Sequence, residues 1–180
     1  MHNIWTRLNN LAALLSSCLM GLAAVIALSS FLIEANTAPP KGTVSILGIR
    51  SAPARTPHFR VRNQDVTFTK FNITADLTPL FHYNTKQVFV YLQAEYTNSQ
   101  GVRNEVVIWD KIIHNKDEAR LNLVDKHKYA FRELSTSFAN VEPASYTLKY
   151  NIMPYVGLLT YGEAARTKEP VPFPEVHSLD

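Results

Sequence analysis

The stretch ASYTLKYNIMPYVGLL, residues 144–159, shows the period of the fold most clearly. Its apolar side chains alternate with polar ones and are Tyr146, Leu148, Tyr150 and Ile152. Successive side chains of a β-strand point to opposite faces, so this alternation predicts a strand with one buried face. Pro154 and Gly157 then interrupt the regular pattern.

Further strands are predicted in residues 43–50, 66–77, 86–98, 101–113, 119–125 and 127–133. In 101–113 both faces are apolar through Ile108 and Trp109, as expected of a central or doubly covered strand. A polar segment, 98–101, separates two of these stretches and indicates a hairpin. Val66 and Phe68 are out of phase with the later apolar residues of their stretch. This mismatch predicts a bulge near Thr69–Lys70. Many short strands with turn signals, and almost no helical period, predict a mainly β fold, an antiparallel β-sandwich.

A run of 23 uncharged residues, from Leu11 to Ile33, precedes all of these strands. As a helix rising about 1.5 Å per residue it is about 34 Å long, enough to cross a hydrocarbon core of about 30 Å. A cleavable signal has a shorter apolar core, of about 7–15 residues, and small residues before the cut. The nearest small residues, Ala35 and Ala38, lack a small residue two positions earlier. We therefore expect an uncleaved transmembrane signal anchor over 11–33 rather than a signal peptide.

The chain then divides into a tail (1–10), the anchor (11–33) and an outer domain (34–180). The outer domain has 17 basic and 15 acidic side chains, a formal charge of +2. This near-neutral balance argues against a nucleic-acid binder. The chain's one cysteine, Cys18, lies in the anchor, so the outer domain has no disulfide of its own.

The side of the membrane on which the domain lies is not decided by charge, because few basic residues flank either end of the anchor. Asn72 begins the sequence's single N-x-[ST] sequon, and sequons are glycosylated only in the lumen or outside the cell. The sequon favours a lumenal domain and a cytosolic tail. Asn72 falls on the polar face of its predicted strand, so a glycan there requires that face to be exposed to solvent.

Motifs that carry catalysis are absent from the sequence. It has no G-x-S-x-G, no H-E-x-x-H and no glycine-rich phosphate loop, and Cys18 is embedded in the apolar run. Asp110 and Lys111 are the most conspicuous polar pair, but adjacent strand residues face opposite sides. A structural contact is therefore favoured over catalysis there, and His82–Tyr83 is interpreted as an ordinary loop pair. We expect no metal and no other cofactor.

Small residues recur every four positions in the anchor, at Ala13, Ser17 and Gly21. Small side chains at this spacing let a second helix approach closely, which would imply a membrane partner. Chance in a segment rich in alanine and serine explains the pattern equally well.

Three blocks of the sequence stand out: ITADL (73–77), KQVFVYLQAEY (86–96) and VIWDKI (107–112). They contain Asp76, Glu95, Tyr96, Trp109, Asp110 and Lys111, and VPFP (171–174) follows later. With these blocks the chain resembles subunit 3 of the eukaryotic signal peptidase complex, a glycoprotein. The resemblance covers nearly the whole chain and is weakest over 50–65 and 126–143.

The resemblance implies a single-pass type II protein of the endoplasmic reticulum membrane, with a lumenal β-sandwich and no protease residues of its own. It implies a hetero-oligomer with the catalytic serine-protease subunit and small membrane subunits, surrounded by membrane lipids. In this family the chain would stabilise and position the catalytic subunit at the lumenal membrane surface, where signal peptides are cleaved. The sequon at Asn72 is not carried over from the family.

Two other classes of protein remain open from the residues alone. A small type II enzyme such as a glycosyltransferase usually needs metal-binding acids, and the sequence has no D-x-D. A membrane-anchored β-sandwich adhesion module usually stands on a stalk, whereas only a short spacer separates Ile33 from the first predicted strand.

Overall fold

The computed structural model describes residues 3–54, 64–133, 135 and 137–174. It begins with a helix, α1 (Ile4–Asn36), which eight strands follow. The strands are β1 (Lys41–Ala54), β2 (Gln64–Asp76), β3 (Thr85–Thr97), β4 (Arg103–Ile113), β5 (Arg120–Lys126), β6 (Phe131–Arg132), β7 (Ser145–Pro154) and β8 (Thr160–Arg166). The predicted fold class, mainly β after one N-terminal helix, is confirmed.

Two antiparallel sheets form the sandwich. The first sheet has the order β1-β2-β5, and the short β6 pairs with the other half of β2. The second sheet has the order β4-β3-β7-β8. Edge strands β1 and β8 lie beside each other and close one side of the sandwich. On the other side, the carbonyl of Ile108 in β4 accepts hydrogen bonds from the main-chain N–H groups of Lys128 and Tyr129.

The core lies between the two sheets and is built from the predicted alternating faces. Its fully buried members include Phe71, Ile73, Val88, Val90, Leu92, Tyr146 and Leu148. Strands β2, β3 and β7 contribute every second residue to this layer. Strand β4 contributes the neighbours Ile108 and Trp109 and lies at the edge of its sheet, so the prediction of a central strand there was wrong. Burial of apolar area at about 25 cal/mol per Å² is the main force that holds the sheets together.

A bulge is present, but it lies in β1 and not in β2, where the sequence predicted it. Ile46 of β1 pairs with Phe71 and Gly48 with Lys70, so the extra residue is Leu47 in β1. Strand β2 stays regular across Thr69–Lys70, and Phe68 lies on its outer face with 45% of its surface exposed. Because Phe68 is an apolar residue on the polar face, the sequence pattern looks as if the strand changed phase there.

The stretch 144–159 is interrupted where the sequence predicts, but it is followed by a strand that the sequence analysis did not predict. Strand β7 ends at Pro154, and an additional strand, β8, follows the turn. The β8 sequence, TYGEAAR, contains few large apolar residues, and its position is set by pairing with β7. Gly162 pairs with Tyr150, and a side chain on Gly162 would collide with the Tyr150 ring.

Helix α1 extends beyond the uncharged run at both ends. It has 33 residues, which corresponds to about 50 Å at about 1.5 Å per residue. By length and composition it is long and apolar enough to cross a membrane.

Candidate functional site: the junction of helix and sandwich

One face of the C-terminal half of α1 packs against the sandwich. The covered or partly covered positions are Ala23, Ile26, Ala27, Ser29, Ser30 and Glu34. Their spacing of three or four residues places them on one side of a helix. Two loops contact this face: residues 81–84, before β3, and residues 155–159, between β7 and β8. We call them the first and the second contact loop.

Asn84 of the first contact loop is the centre of the junction. Its Nδ2 donates to Ser30 Oγ at 2.6 Å and to the Val156 carbonyl at 2.7 Å. Its Oδ1 accepts from the Val156 N–H at 3.1 Å, and its carbonyl accepts from the Tyr155 N–H at 2.8 Å. The residue is only 3% exposed. One side chain therefore ties the helix to both loops, and leaving these buried groups unpaired would cost about 1–3 kcal/mol each.

His82 and Tyr83 add contacts on either side of Asn84. The Tyr83 hydroxyl donates to the Ile26 carbonyl at 3.3 Å and also shares a hydrogen bond with Ser29 Oγ. His82 Nε2 lies 3.2 Å from Glu34 Oε1, near the end of the helix. Both residues lie in a loop, as the sequence interpretation has them, and both side chains also contact the helix. The contact requires tertiary structure, and no local pattern signals it.

Gly157 allows the second contact loop to approach the helix. Its φ is +121°, and a Cβ atom there would lie 3.3 Å from the Cβ of Ala27. Glycine adopts this conformation without steric cost and has no side chain to hold the loop away. Because Gly157 and Ala27 are both small, the backbones of the loop and the helix can lie close together.

A cleft of about 230 Å³ lies beside the junction. The helix end and the following prolines form one wall, and sandwich residues such as His82, Tyr150 and Tyr161 form the other. Burial, with a smaller contribution from the charge of Glu34, raises the pKa of the Tyr150 hydroxyl. A neutral tyrosine beside a carboxylate can donate a hydrogen bond, but this pair supplies no activated nucleophile.

Trp109 and Asp110 connect strand β4 to the first sheet. Trp109 is buried, donates from Nε1 to Asp125 Oδ2 at 3.0 Å and meets the Phe71 ring edge-on. Asp110 accepts from Lys128 Nζ at 2.8 Å and from the Tyr129 hydroxyl at 2.6 Å. These two hydrogen bonds, that of Lys128 first, lower the pKa of the Asp110 carboxyl. The pair thus joins the two sheets at one edge of the sandwich.

Glu95 lies on the outer face of the second sheet, where cations from the other three strands surround it. Its carboxylate is 2.9 Å from Lys149 Nζ, 3.2 Å from Arg166 and 3.5 Å from Arg103. Burial acts to raise the pKa of Glu95, but the hydrogen bond and charge of Lys149, with the charges of Arg166 and Arg103, outweigh it and lower the pKa. The carboxylate is therefore an electrostatic tie across all four strands.

The remaining predicted site residues lie at separate places. Tyr96 is in the core, where it donates to Glu133 Oε2, and Asp76 accepts from the Thr78 N–H at 3.0 Å at the end of β2. Lys111 is exposed on edge strand β4. Asn72 is half-buried on the outer face of β2, between Ser45 of β1 and Val124 of β5. The structure does not bring these residues into one site.

Metal-binding geometry is also absent from the part of the chain that the structure describes. Within it, no three His, Cys, Asp or Glu side chains are grouped so that they could hold a metal ion. The contacts of the conspicuous polar residues serve to join strands and sheets. What stands apart is the helix junction, because it fixes the orientation of an apolar rod relative to a folded domain.

Comparison with known proteins identifies the family of the chain. The family model described as "Signal peptidase subunit" matches residues 1–176. The chain belongs to this family. The match therefore includes helix α1, both contact loops and all eight strands.

Curated relatives in the signal peptidase subunit family carry the name "Signal peptidase complex subunit 3". The protein from Debaryomyces hansenii is 37% identical over 173 residues, which cover 91% of this chain and 90% of the relative. The protein from Yarrowia lipolytica is 32% identical over 98% of this chain and 100% of the relative. The Saccharomyces cerevisiae protein is 46% identical over 95 residues, and that match spans only 52% of each chain.

The Glu95 tie predicts a specific dependence of stability on pH. In Glu95→Gln, three cations lose their shared anion, so we expect the free energy of unfolding at pH 7 to fall by about 1–3 kcal/mol. Because the pKa of Glu95 is lowered in the folded state, the wild type loses this stabilisation as the pH falls from about 4.3, the ordinary value, through the lower folded pKa. The difference in the free energy of unfolding between the wild type and Glu95→Gln should therefore become smaller at acidic pH.

Urea unfolding of the full chain in detergent measures this difference. It is followed by the fluorescence of buried Trp109, with all variants in a Trp5→Phe background because Trp5 is the chain's other tryptophan. Glu142→Gln makes the same chemical change at an exposed position, and we expect it to stay within about 0.5 kcal/mol of the wild type at every pH. Equal stability of Glu95→Gln and wild type at pH 7, or a difference that is the same at neutral and acidic pH, would contradict the electrostatic role.

Proposed function

We propose that this chain is a non-catalytic subunit of the signal peptidase complex in the endoplasmic reticulum membrane. It stabilises the catalytic serine-protease subunit and positions it at the lumenal membrane surface, where signal peptides are removed from nascent proteins. The observation that carries the proposal is the family match over residues 1–176. The names of the relatives, which are complex subunits, support the same conclusion.

The helix junction supports a positioning role. A domain on a flexible linker would sample many orientations, and relative motion is the ordinary expectation for two units with a small polar contact. Here Asn84 and Gly157 hold the sandwich against the last turns of α1. A partner bound to the sandwich would therefore be held at a defined height above the bilayer.

The helix also retains surface for membrane partners. On the side away from the sandwich, Gly21 has no other atom within 4 Å of where a Cβ would stand, and Ser17 bonds only back to Ala13 within its own helix. Small residues at this spacing permit close helix packing. We propose that small membrane subunits of the hetero-oligomer pack here, and we expect no nucleic acid among the partners.

We propose a type II topology, with residues 1–10 in the cytosol, the anchor over 11–33 and the sandwich of 34–180 in the lumen. The sequon at Asn72 favours this orientation. Asn72 lies in a central strand, flanked on the outer face by Ser45 and Val124. That face is open to solvent at Val124, which is 57% exposed.

Loss of the chain should impair signal-peptide removal. When it is depleted from its own cells, we expect uncut preproteins to accumulate, because the catalytic subunit loses the scaffold that stabilises it. Gel mobility of newly made secretory proteins measures the effect, and re-expression of the full chain is the control. Normal processing after complete depletion would contradict the proposal, as would recovery of the chain as a lone monomer in mild detergent.

Sugar on Asn72 tests the orientation separately. We expect an endoglycosidase to increase the gel mobility of the chain, and Asn72→Gln to abolish that shift because no other sequon exists in the sequence. Asn122→Gln, at an exposed position of β5 outside any sequon, should leave the shift intact. Digestion of the sandwich by protease added outside sealed microsomes would contradict a lumenal domain.

A further inference from the structure

Large apolar side chains are exposed around the two contact loops. Leu158 is 88% exposed, and Leu159 and three tyrosines are at least half exposed: Tyr83, Tyr155 and Tyr161. Residues 150–162 contain no charged side chain. A contiguous exposed apolar surface on a folded domain marks a contact with another phase or molecule.

The contacts with α1 set the height of this surface relative to the bilayer. If the hydrocarbon begins at Leu11, about 20 helical residues cross its thickness of about 30 Å, so it ends at about residue 31. Gly157 meets the helix at Ala27, and Tyr83 meets it at Ile26. Ala27 lies about four residues, or about 6 Å, inside that boundary at about 1.5 Å per residue. The loops therefore overlap the outer part of the hydrocarbon layer.

The polar groups at the start of the second contact loop are suited to this environment. Unpaired backbone groups are costly in lipid, so irregular chain is tolerated there only when its N–H and C=O groups have partners. Asn84 pairs the N–H groups of Tyr155 and Val156 and the carbonyl of Val156. Asn84 also donates a hydrogen bond to Ser30 Oγ, a polar atom within the apolar part of the helix. Three of the four backbone polar groups of Tyr155 and Val156 are therefore satisfied within the protein.

The side chains that face outward match the chemistry of a lipid interface. Tyrosine is enriched where hydrocarbon meets headgroups, because its ring is apolar and its hydroxyl is polar. Tyr155 and Tyr161 flank the two leucines in the sequence, and the charges nearest to residues 150–162 along the chain are Lys149 and Glu163, outside the segment. In the first contact loop, the charged residue nearest to Tyr83 along the chain is Lys86. A protein partner is the other conceivable occupant, but the height of the loops at the helix favours lipid.

We propose that the two contact loops insert into the leaflet on the side of the sandwich, and that Leu158 and Leu159 contact acyl chains. The proposal rests on the membrane anchoring stated under the proposed function and adds a second attachment to it. The domain would then be held to the bilayer by the helix and by the loops, which prevents it from tilting away from the surface.

Depth-dependent quenching in lipid nanodiscs tests this attachment on the full chain. An environment-sensitive fluorophore is placed by Leu158→Cys, in a Cys18→Ser background, and the lipids carry a nitroxide near the headgroup end of the acyl chain. The matched control is Val102→Cys, which is 52% exposed and lies in the turn at the opposite end of β3 from Asn84. Leu159→Cys supplies a second loop probe, and native Cys18 supplies a probe within the anchor.

We expect the nitroxide lipid to quench the probes at 158 and 159 about twofold or more relative to 102, because only the loops reach the leaflet. A deep nitroxide should quench the label on Cys18. Quenching at Cys18 with equal responses at 158 and 102 would overturn the loop insertion while leaving the anchor intact. Lack of quenching at Cys18 would instead overturn the anchoring itself, and the insertion with it. Quenching at 158 that disappears in the assembled complex would show a subunit covering the loop and would overturn a lipid contact there.

Discussion

The hydrogen bonds of Asn84 are the interaction on which the rest of the structure depends. They join Ser30 of the helix, Val156 of the second contact loop and the start of β3 in one buried set. Without them the sandwich and the apolar helix would be joined only by the short connecting segment and by the outer contacts of His82, Tyr83 and Gly157. With them, the domain has a fixed position relative to the helix, and therefore relative to a membrane that the helix crosses.

This constraint is what the proposed scaffold role requires of the fold. The sandwich is held together by its apolar core, by the edge contacts of Trp109 and Asp110 and by the ion pairs of Glu95. Each of these ties keeps the strands in one arrangement. A protease that binds such a rigid body at the bilayer surface would meet its substrates at a constant height, which favours a defined cleavage position.

Much of the fold could be predicted from the sequence, because period-two alternation and a long uncharged run each reflect a single local rule. The strands around Phe71 and Tyr146, and the apolar helix, follow from those rules. Strand β8 could not be predicted, because TYGEAAR has no apolar face and depends on pairing with β7. The bulge at Leu47 was missed because only the register between strands reveals it.

The junction was beyond sequence reasoning for the same kind of reason. Asn84, Ser30 and Val156 are far apart in the chain, and each is unremarkable in its own segment. The Glu95 ion pairs likewise combine residues of four strands. Contacts of this type depend on the complete topology, whereas the family resemblance in residues 73–112 could be recognised from the linear order alone.

The most direct test of the account is a distance distribution between spin labels on helix and sandwich in nanodiscs. One label is on native Cys18 and the other on Val102→Cys, and both sites are exposed. We expect one narrow distribution in the otherwise unchanged chain and in Asn122→Ala, and a clearly broader one in Asn84→Ala. A distribution that is already broad without the Asn84 change, or that stays narrow after it, would contradict a sandwich held in place by this junction.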